Sequence, residues 1–108
     1  MVANYKRTGQ TVNYVNAGDA TVTAGTIVAL TSRIAVAAGD IKPGEAGALA
    51  TEGVFAIPKA TTLAIGQGDL VYFNAKTGAT KTDTDVPAGW AVAAAAAADT
   101  EVQVKLLG

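Results

Sequence analysis

The sequence contains no cysteine and no histidine. Disulfides, thiolate nucleophiles and thiolate metal ligands are therefore excluded, together with imidazole bases and imidazole ligands. These groups dominate nucleophilic, acid–base and transition-metal sites. The composition thus predicts a protein that uses no cofactor or metal and is not an enzyme, unless its carboxylates or its one serine carry the chemistry.

The serine and the carboxylates are better explained by turns than by catalysis. Ser32 lies between Thr31 and Arg33 in a predicted turn, without the glycines of a nucleophile elbow. Most aspartates lie beside glycine, proline or threonine, where aspartate caps its own backbone. Asp83-Thr84-Asp85 alternates carboxylates as a calcium loop does, but the remaining ligands of such a loop are missing. We therefore expect neither a catalytic nor a metal site.

Charge of either sign is scarce, with eight basic and nine acidic residues and a net charge of −1. A nucleic-acid binder needs a basic footprint that displaces counterions from phosphate. Only Lys6-Arg7 is an adjacent basic pair, and a solvated arm explains it. Six aromatic residues without a cluster also argue against base or sugar stacking. No nucleic-acid partner is predicted.

Long hydrophobic runs are also absent. The longest, Trp90–Ala98, is shorter than the ~20 residues that span a bilayer, so no membrane partner is predicted. The start lacks the pattern of a secretion signal, so no signal peptide is predicted. Because the mean hydropathy is high for a soluble monomer, we infer that partner chains cover some apolar surface.

Closely spaced turn signals separate short segments rich in valine, isoleucine, threonine and aromatics, which predicts an all-β domain of short antiparallel strands. The length of 108 residues fits one domain. Residues 1–10 are polar and lack alternation, which is typical of an arm or of a first edge strand. We predict an N-terminal arm before a single β domain at 11–108. The clearest turn signals are Asn16–Asp19, Gly39-Asp40, Lys42–Glu45, Gly66–Asp69, Lys76–Gly78 and Pro87–Gly89.

Several segments alternate with the period of a strand. In Val102–Leu106 one face is apolar and the other polar, which predicts a half-buried strand. Asp69–Asn74 is apolar on both faces, which predicts a strand that is central or faces an interface. Ile27–Thr31 is nearly continuous in apolar residues, as a strand buried on both faces is.

The run of six alanines at Ala93–Ala98 favours a helix by propensity alone. It is shorter than the ~12 residues that an isolated helix needs, and Asp99 is at the unfavourable end for a helix dipole. We therefore predict a strand over Trp90–Ala93 that ends in a turn of small residues, with at most one helical turn near Ala95–Ala98.

Five residues are candidates for partner contact. Trp90 is the one tryptophan; a core position is favoured, and an interface anchor is the alternative. Tyr5 and Tyr14 lie in the less regular N-terminal part, where tyrosine offers apolar area and a hydroxyl at low entropy cost. Lys6 and Arg7 belong to the predicted arm.

The order of these segments resembles a family of small bacteriophage proteins, the capsid cement or head decoration proteins. This family was long treated as a domain of unknown function, and some members carry a misleading recombinase label. The resemblance covers nearly the whole chain. It rests on the segments Ala24–Leu30, Ile34–Ala37, Asp40–Gly47, Glu52–Ala60, Ile65–Phe73 and Val102–Leu106.

The resemblance implies a small β-barrel or tulip-like domain bound to the outer surface of a phage head. It further implies a homotrimer at local three-fold positions that bridges major capsid proteins, made in the host cytoplasm and carried on the virion. The arm at 1–10 would reach onto the capsid, adding a strand to an exposed edge. The alternatives are a tail or baseplate module, a carbohydrate-binding β-module and a small nucleic-acid-binding barrel.

Overall fold

The computed structural model describes residues 1–4 and 9–106, and the regular structure in these residues is entirely β. The strands of the first sheet are β1 (Thr11–Val15), β2 (Ile27–Ala29), β3 (Ile34–Ala37) and β4 (Ala46–Ala50). Those of the second are β5 (Val54–Pro58), β6 (Leu70–Asn74), β7 (Gly78–Thr80), β8 (Val86–Ala91) and β9 (Glu101–Leu106).

The sheet orders are β1-β4-β3-β2 and β5-β9-β8-β6-β7, with all neighbours antiparallel. The all-β prediction is confirmed. Closure into a barrel is not observed, because the edge strands β5 and β7 of the second sheet approach each other at only one isolated bridge, Lys59 to Ala79. A closed barrel requires a continuous ladder around its whole circumference. The protein is therefore two open sheets in a flat body of 40 × 39 × 22 Å.

Strand β3 joins the two parts of the hydrophobic core. All four of its residues are buried. Ile34 and Val36 belong to the main cluster, which the second sheet supplies for the most part, whereas Ala35 and Ala37 belong to a smaller cluster with Leu49. Alternate residues of a strand point to opposite faces, so this one strand contributes to both clusters.

The alternation in Val102–Leu106 predicted the inward face of β9 correctly, since Val102, Val104 and Leu106 are buried. The expectation for Ile27–Thr31 is wrong. Strand β2 covers only Ile27–Ala29 and is an edge strand of the first sheet, with Ala29 exposed. A continuous apolar run does not reveal how many neighbours a strand has.

The alanine run contains no helix. Strand β8 ends at Ala91, and Ala95 forms a bridge with Ile65. Next, the Asp99 carboxylate accepts a hydrogen bond from the Ala96 N–H at 2.8 Å, which closes a turn. The preceding turn of the same kind ends in Asp69, whose carboxylate accepts from the Gly66 N–H. This capping aspartate and the bridge outweigh the helix propensity of alanine.

Residues 1–4 carry no strand, and Tyr5–Thr8 lie outside the described residues. The division into an arm at 1–10 and a domain at 11–108 therefore stays a prediction, although β1 begins at Thr11. No helix long and apolar enough to cross a membrane occurs in the part of the chain that the structure describes.

Candidate protein-binding surface

Four side chains form a row across the outer face of the second sheet. Val54 in β5 lies opposite Lys105 in β9, Lys105 lies opposite Trp90 in β8, and Trp90 lies opposite Leu70 in β6. Directly opposite residues in antiparallel strands have Cβ atoms about 4.5–5.5 Å apart and point to the same face. The four side chains are therefore successive neighbours, and we call them the outer row.

The apolar members of the outer row are exposed to an unusual degree. Leu70 is 61% exposed, Val54 52% and Trp90 38%, and each is among the few large hydrophobic residues that are not covered. Scattered exposed hydrophobic residues are ordinary, but a contiguous apolar patch marks a site of interaction. The register places three such residues on one line, which makes this face the strongest candidate for a binding surface.

The outer row is a consequence of strand alternation. The neighbours Val71, Ala91 and Val104 point inward and are buried. Leu70 and Trp90 must then point outward. Lys105, which is exposed, separates Trp90 from Val54 along the row. The aliphatic stem of an exposed lysine can cover apolar surface while the ammonium group stays in water.

A polar rim adjoins the Leu70 end of the row. The Lys81 ammonium group lies 3.2 Å from a carboxylate oxygen of Asp69, and Leu70, Tyr72 and Asp83 line the shallow depression beside this pair. The hydrogen bond from the Gly66 N–H lowers the pKa of Asp69 below its ordinary value of 3.8, and Lys81 lowers that pKa further. An apolar centre with a charged rim is the usual anatomy of a protein interface.

Acid is expected to weaken the turn at this rim. The folded state lowers the pKa of Asp69. The stability that ionised Asp69 contributes is therefore complete above the pKa that this group has in the unfolded chain, and it is lost as the pH falls through the lower pKa of the folded state. The difference in Tm between the natural protein and Asp69→Asn should therefore shrink below about pH 4. Thermal unfolding monitored by circular dichroism checks this, with Asp83→Asn as the charge-matched control. A constant difference down to the lowest pH would contradict it.

A second concavity, of about 570 Å³, opens between the two sheets. Its walls are mostly apolar, with Phe55, Phe73 and Ile27 among them, and of the described residues that line it only Lys76 is charged. A lysine without a neighbouring carboxylate in the lining offers no acid–base pair. In the described part of the chain, no group of three or more acidic side chains is placed to hold a metal ion.

The structure describes two of the five predicted contact residues, and these two lie on different sheets. Trp90 lies on the outer face of the second sheet, so the expectation of a core position is wrong. Tyr14 lies in β1 of the first sheet, half-buried against the smaller cluster. Tyr5, Lys6 and Arg7 lie outside the described residues.

Sequence reasoning missed Leu70, Val54 and Lys105 as members of the surface. The apolar pattern of Asp69–Asn74 on both faces was the available signal, and it did indicate a central or interface-facing strand. It did not reveal that Trp90 and Leu70 are cross-strand neighbours, because register is a property of strand pairing rather than of one segment.

Two packed sheets and an apolar outer row are the features of a small structural module that binds other proteins. A family model described as phage cement protein matches residues 6–106, and the chain belongs to this family. The family is one of structural virion proteins associated with the phage capsid, which favours the capsid over a tail, baseplate or carbohydrate-binding role. Comparisons with curated proteins and with solved structures give no match.

Proposed function

We propose that the chain binds the outer surface of a phage head through the outer row and stabilises the contacts between major capsid proteins. The observation that carries this proposal is the alignment of Val54, Trp90 and Leu70 across one sheet face. Membership of the cement family supplies the class of partner. Tryptophan in a desolvated contact is among the strongest hot-spot residues, so Trp90 is the central anchor.

The proposed role is mechanical and requires no enzymatic activity, cofactor or nucleic-acid partner. A homotrimer at a local three-fold position would present three outer rows to neighbouring capsid subunits. Linked contacts of this kind raise avidity by about 10²–10⁴ over a single contact. Individually weak contacts then hold a shell together against internal pressure. The chain is made in the host cytoplasm and becomes part of the virion surface.

The N-terminal arm supplies a second proposed contact. Its motivation is the sequence Tyr5-Lys6-Arg7, an aromatic residue beside two cations, which suits an acidic groove or an exposed strand edge on the capsid. Deletion of residues 2–8 is expected to lower capsid occupancy while the β domain still folds. Unchanged occupancy after the deletion would overturn this contact.

Loss of the outer row is expected to abolish capsid binding without unfolding the protein. Trp90→Ala removes the anchor and should weaken binding by about 30-fold or more, the effect of a hot-spot truncation. Leu70→Lys places a charge beside Trp90 and should have a similar effect. Binding is measured by co-sedimentation of the purified protein with heads that lack it, and folding by circular dichroism.

The control is Ala29→Lys, which adds the same charge at an exposed position of the other sheet. It should bind heads like the natural protein. The proposal is wrong if Trp90→Ala and Leu70→Lys occupy heads normally, or if heads with and without the protein lose their DNA at the same temperature.

A further inference from the structure

Strand β1 is an open edge of the first sheet. Among the residues that the structure describes, it pairs with β4 alone. The Thr51 N–H donates to the Gln10 carbonyl at 2.9 Å, and the Asn16 N–H donates to the Glu45 carbonyl at 3.0 Å. In an antiparallel pair, every second residue of a strand directs its N–H and C=O groups to the same neighbouring strand. The backbone groups of the even-numbered residues in this segment therefore face β4. The backbone groups that face away from the sheet belong to Thr11, Asn13 and Val15.

This edge has none of the devices that usually block pairing. Strand β1 reads Thr-Val-Asn-Tyr-Val, with no charge and no proline, and its register with β4 is regular through all five pairs. Charged residues, proline and bulges normally protect edge strands from adding a neighbour. The opposite edge, β2, has three residues and so offers a shorter ladder.

The inward face of β1 is incompletely covered. Val12 and Tyr14 pack against the smaller core cluster, yet both remain partly exposed. An additional strand beside β1 would extend the sheet over this cluster and cover both side chains. One extended strand beside β1 would therefore both pair with the free backbone groups and cover the apolar side chains.

We propose that β1 pairs antiparallel with β1 of a second copy of this chain, about a two-fold axis at Asn13. In this register Thr11 lies opposite Val15 of the second copy, and Asn13 lies opposite its own equivalent. All three outward-facing residues of each strand then form hydrogen-bonded pairs. The result is one continuous sheet of eight strands with an isologous interface.

A second copy of β1 is complementary to this edge in both charge and side-chain packing. The edge is uncharged, so two copies meet without like-charge repulsion. On the inward face Tyr14 lies opposite Val12 of the second copy, and the reverse contact occurs once more by symmetry. These are aromatic–β-branched pairs at non-hydrogen-bonded positions, where side chains are closest and such pairs are favourable.

The two-fold contact uses the first sheet and leaves the outer row of the second sheet free. If the chain forms three-fold clusters on a capsid, which rests on the proposed function, two-fold pairing through β1 would join one cluster to the next. The pairing itself is tested on the free protein. Self-association can therefore be absent while capsid binding is confirmed, or present while capsid binding is absent.

Asn13→Pro is the decisive variant. Its N–H points away from β4, so proline removes no bond of the existing sheet but blocks the central pair of the proposed ladder. Ala29→Pro is the matched control: its N–H points away from β3, because the neighbouring Leu30 N–H donates to Arg33 and the Ala37 N–H donates to Thr26. Sedimentation equilibrium over a wide concentration range gives the association constant.

We expect the natural protein and Ala29→Pro to associate with rising concentration, and Asn13→Pro to associate at least tenfold more weakly. The chain has no cysteine, so Asn13→Cys and Ala29→Cys can also be compared with a short bis-maleimide linker, which should give a cross-linked pair only with Asn13→Cys. Equal association and equal cross-linking in each comparison overturn the proposal. Loss of head binding by Asn13→Pro with unchanged self-association also overturns it, and assigns the edge to a capsid strand.

Discussion

Replacing Gly89 with alanine is expected to destabilise the protein by about 4 kcal/mol or more, an effect at the severe end for a single substitution. Gly89 is buried in β8, opposite Leu106 of β9. A Cβ atom at this position would overlap the backbone carbonyl oxygen of Lys105. A flexible side chain could rotate away from the new methyl group, but the Lys105 carbonyl belongs to the backbone of β9 and cannot. Strands β8 and β9 would therefore have to separate.

Separation of β8 from β9 would also displace Trp90 and Lys105, the central pair of the outer row. Since small domains are stable by only about 5–15 kcal/mol, Gly89→Ala should leave a substantial unfolded fraction under native conditions. Urea unfolding followed by tryptophan fluorescence measures the loss, because Trp90 is the one tryptophan.

Gly39→Ala is the matched control for this effect. A Cβ atom at Gly39 meets no atom within 4 Å, and its φ does not lie in the left-handed region. The free energy of unfolding of Gly39→Ala should differ from that of the natural protein by no more than about 0.5 kcal/mol. A Gly89→Ala protein as stable as the control would show that the sheet accommodates the methyl group, against the overlap argument.

Replacing Lys59 with methionine is expected to destabilise the protein by about 2 kcal/mol, because it leaves three partly buried carbonyl groups without their donor. Lys59 is only 6% exposed. Its ammonium group donates to the carbonyls of Ala60 at 2.9 Å, Leu63 at 2.6 Å and Ala97 at 3.1 Å. All three donor hydrogens are thus satisfied by backbone oxygens.

Methionine keeps most of the aliphatic volume of lysine, so the substitution isolates the loss of the ammonium group from the creation of a cavity. The matched control is Lys42→Met at an exposed turn position, which should be nearly neutral. Both are measured by urea unfolding. A loss of stability no greater than that of the control would show that water replaces the ammonium group at the three carbonyls.

The effect of Lys59 on the two strands is expected to be local. Its side chain ties the loop after β5 to the alanine-rich turn before β9, next to the pair formed by Pro58 and Glu101. Val54 and Lys105 of the outer row pair at the opposite end of the same two strands. In Lys59→Met we therefore expect the Pro58 end of β5 to lose order while the outer row persists, which hydrogen exchange of individual backbone amides checks.

The sequence by itself determined the fold class and the absence of common reactive groups. Regular turn signals and period-two alternation specify short antiparallel strands, and β9 was predicted with the correct inward face because its two faces differ in polarity. Local pattern is sufficient in such a segment, since only one orientation buries the apolar residues.

Only the tertiary structure decided which apolar face points outward, which strands are neighbours and where the edges lie. Leu70 and Val71 are both apolar, so alternation alone cannot rank them; packing of the second sheet against β3 buries Val71 and leaves Leu70 beside Trp90. The alanine run became a bridge and a turn because Ile65, thirty residues earlier, pairs with Ala95. These choices depend on contacts between residues far apart in the chain, whose energies no single segment contains.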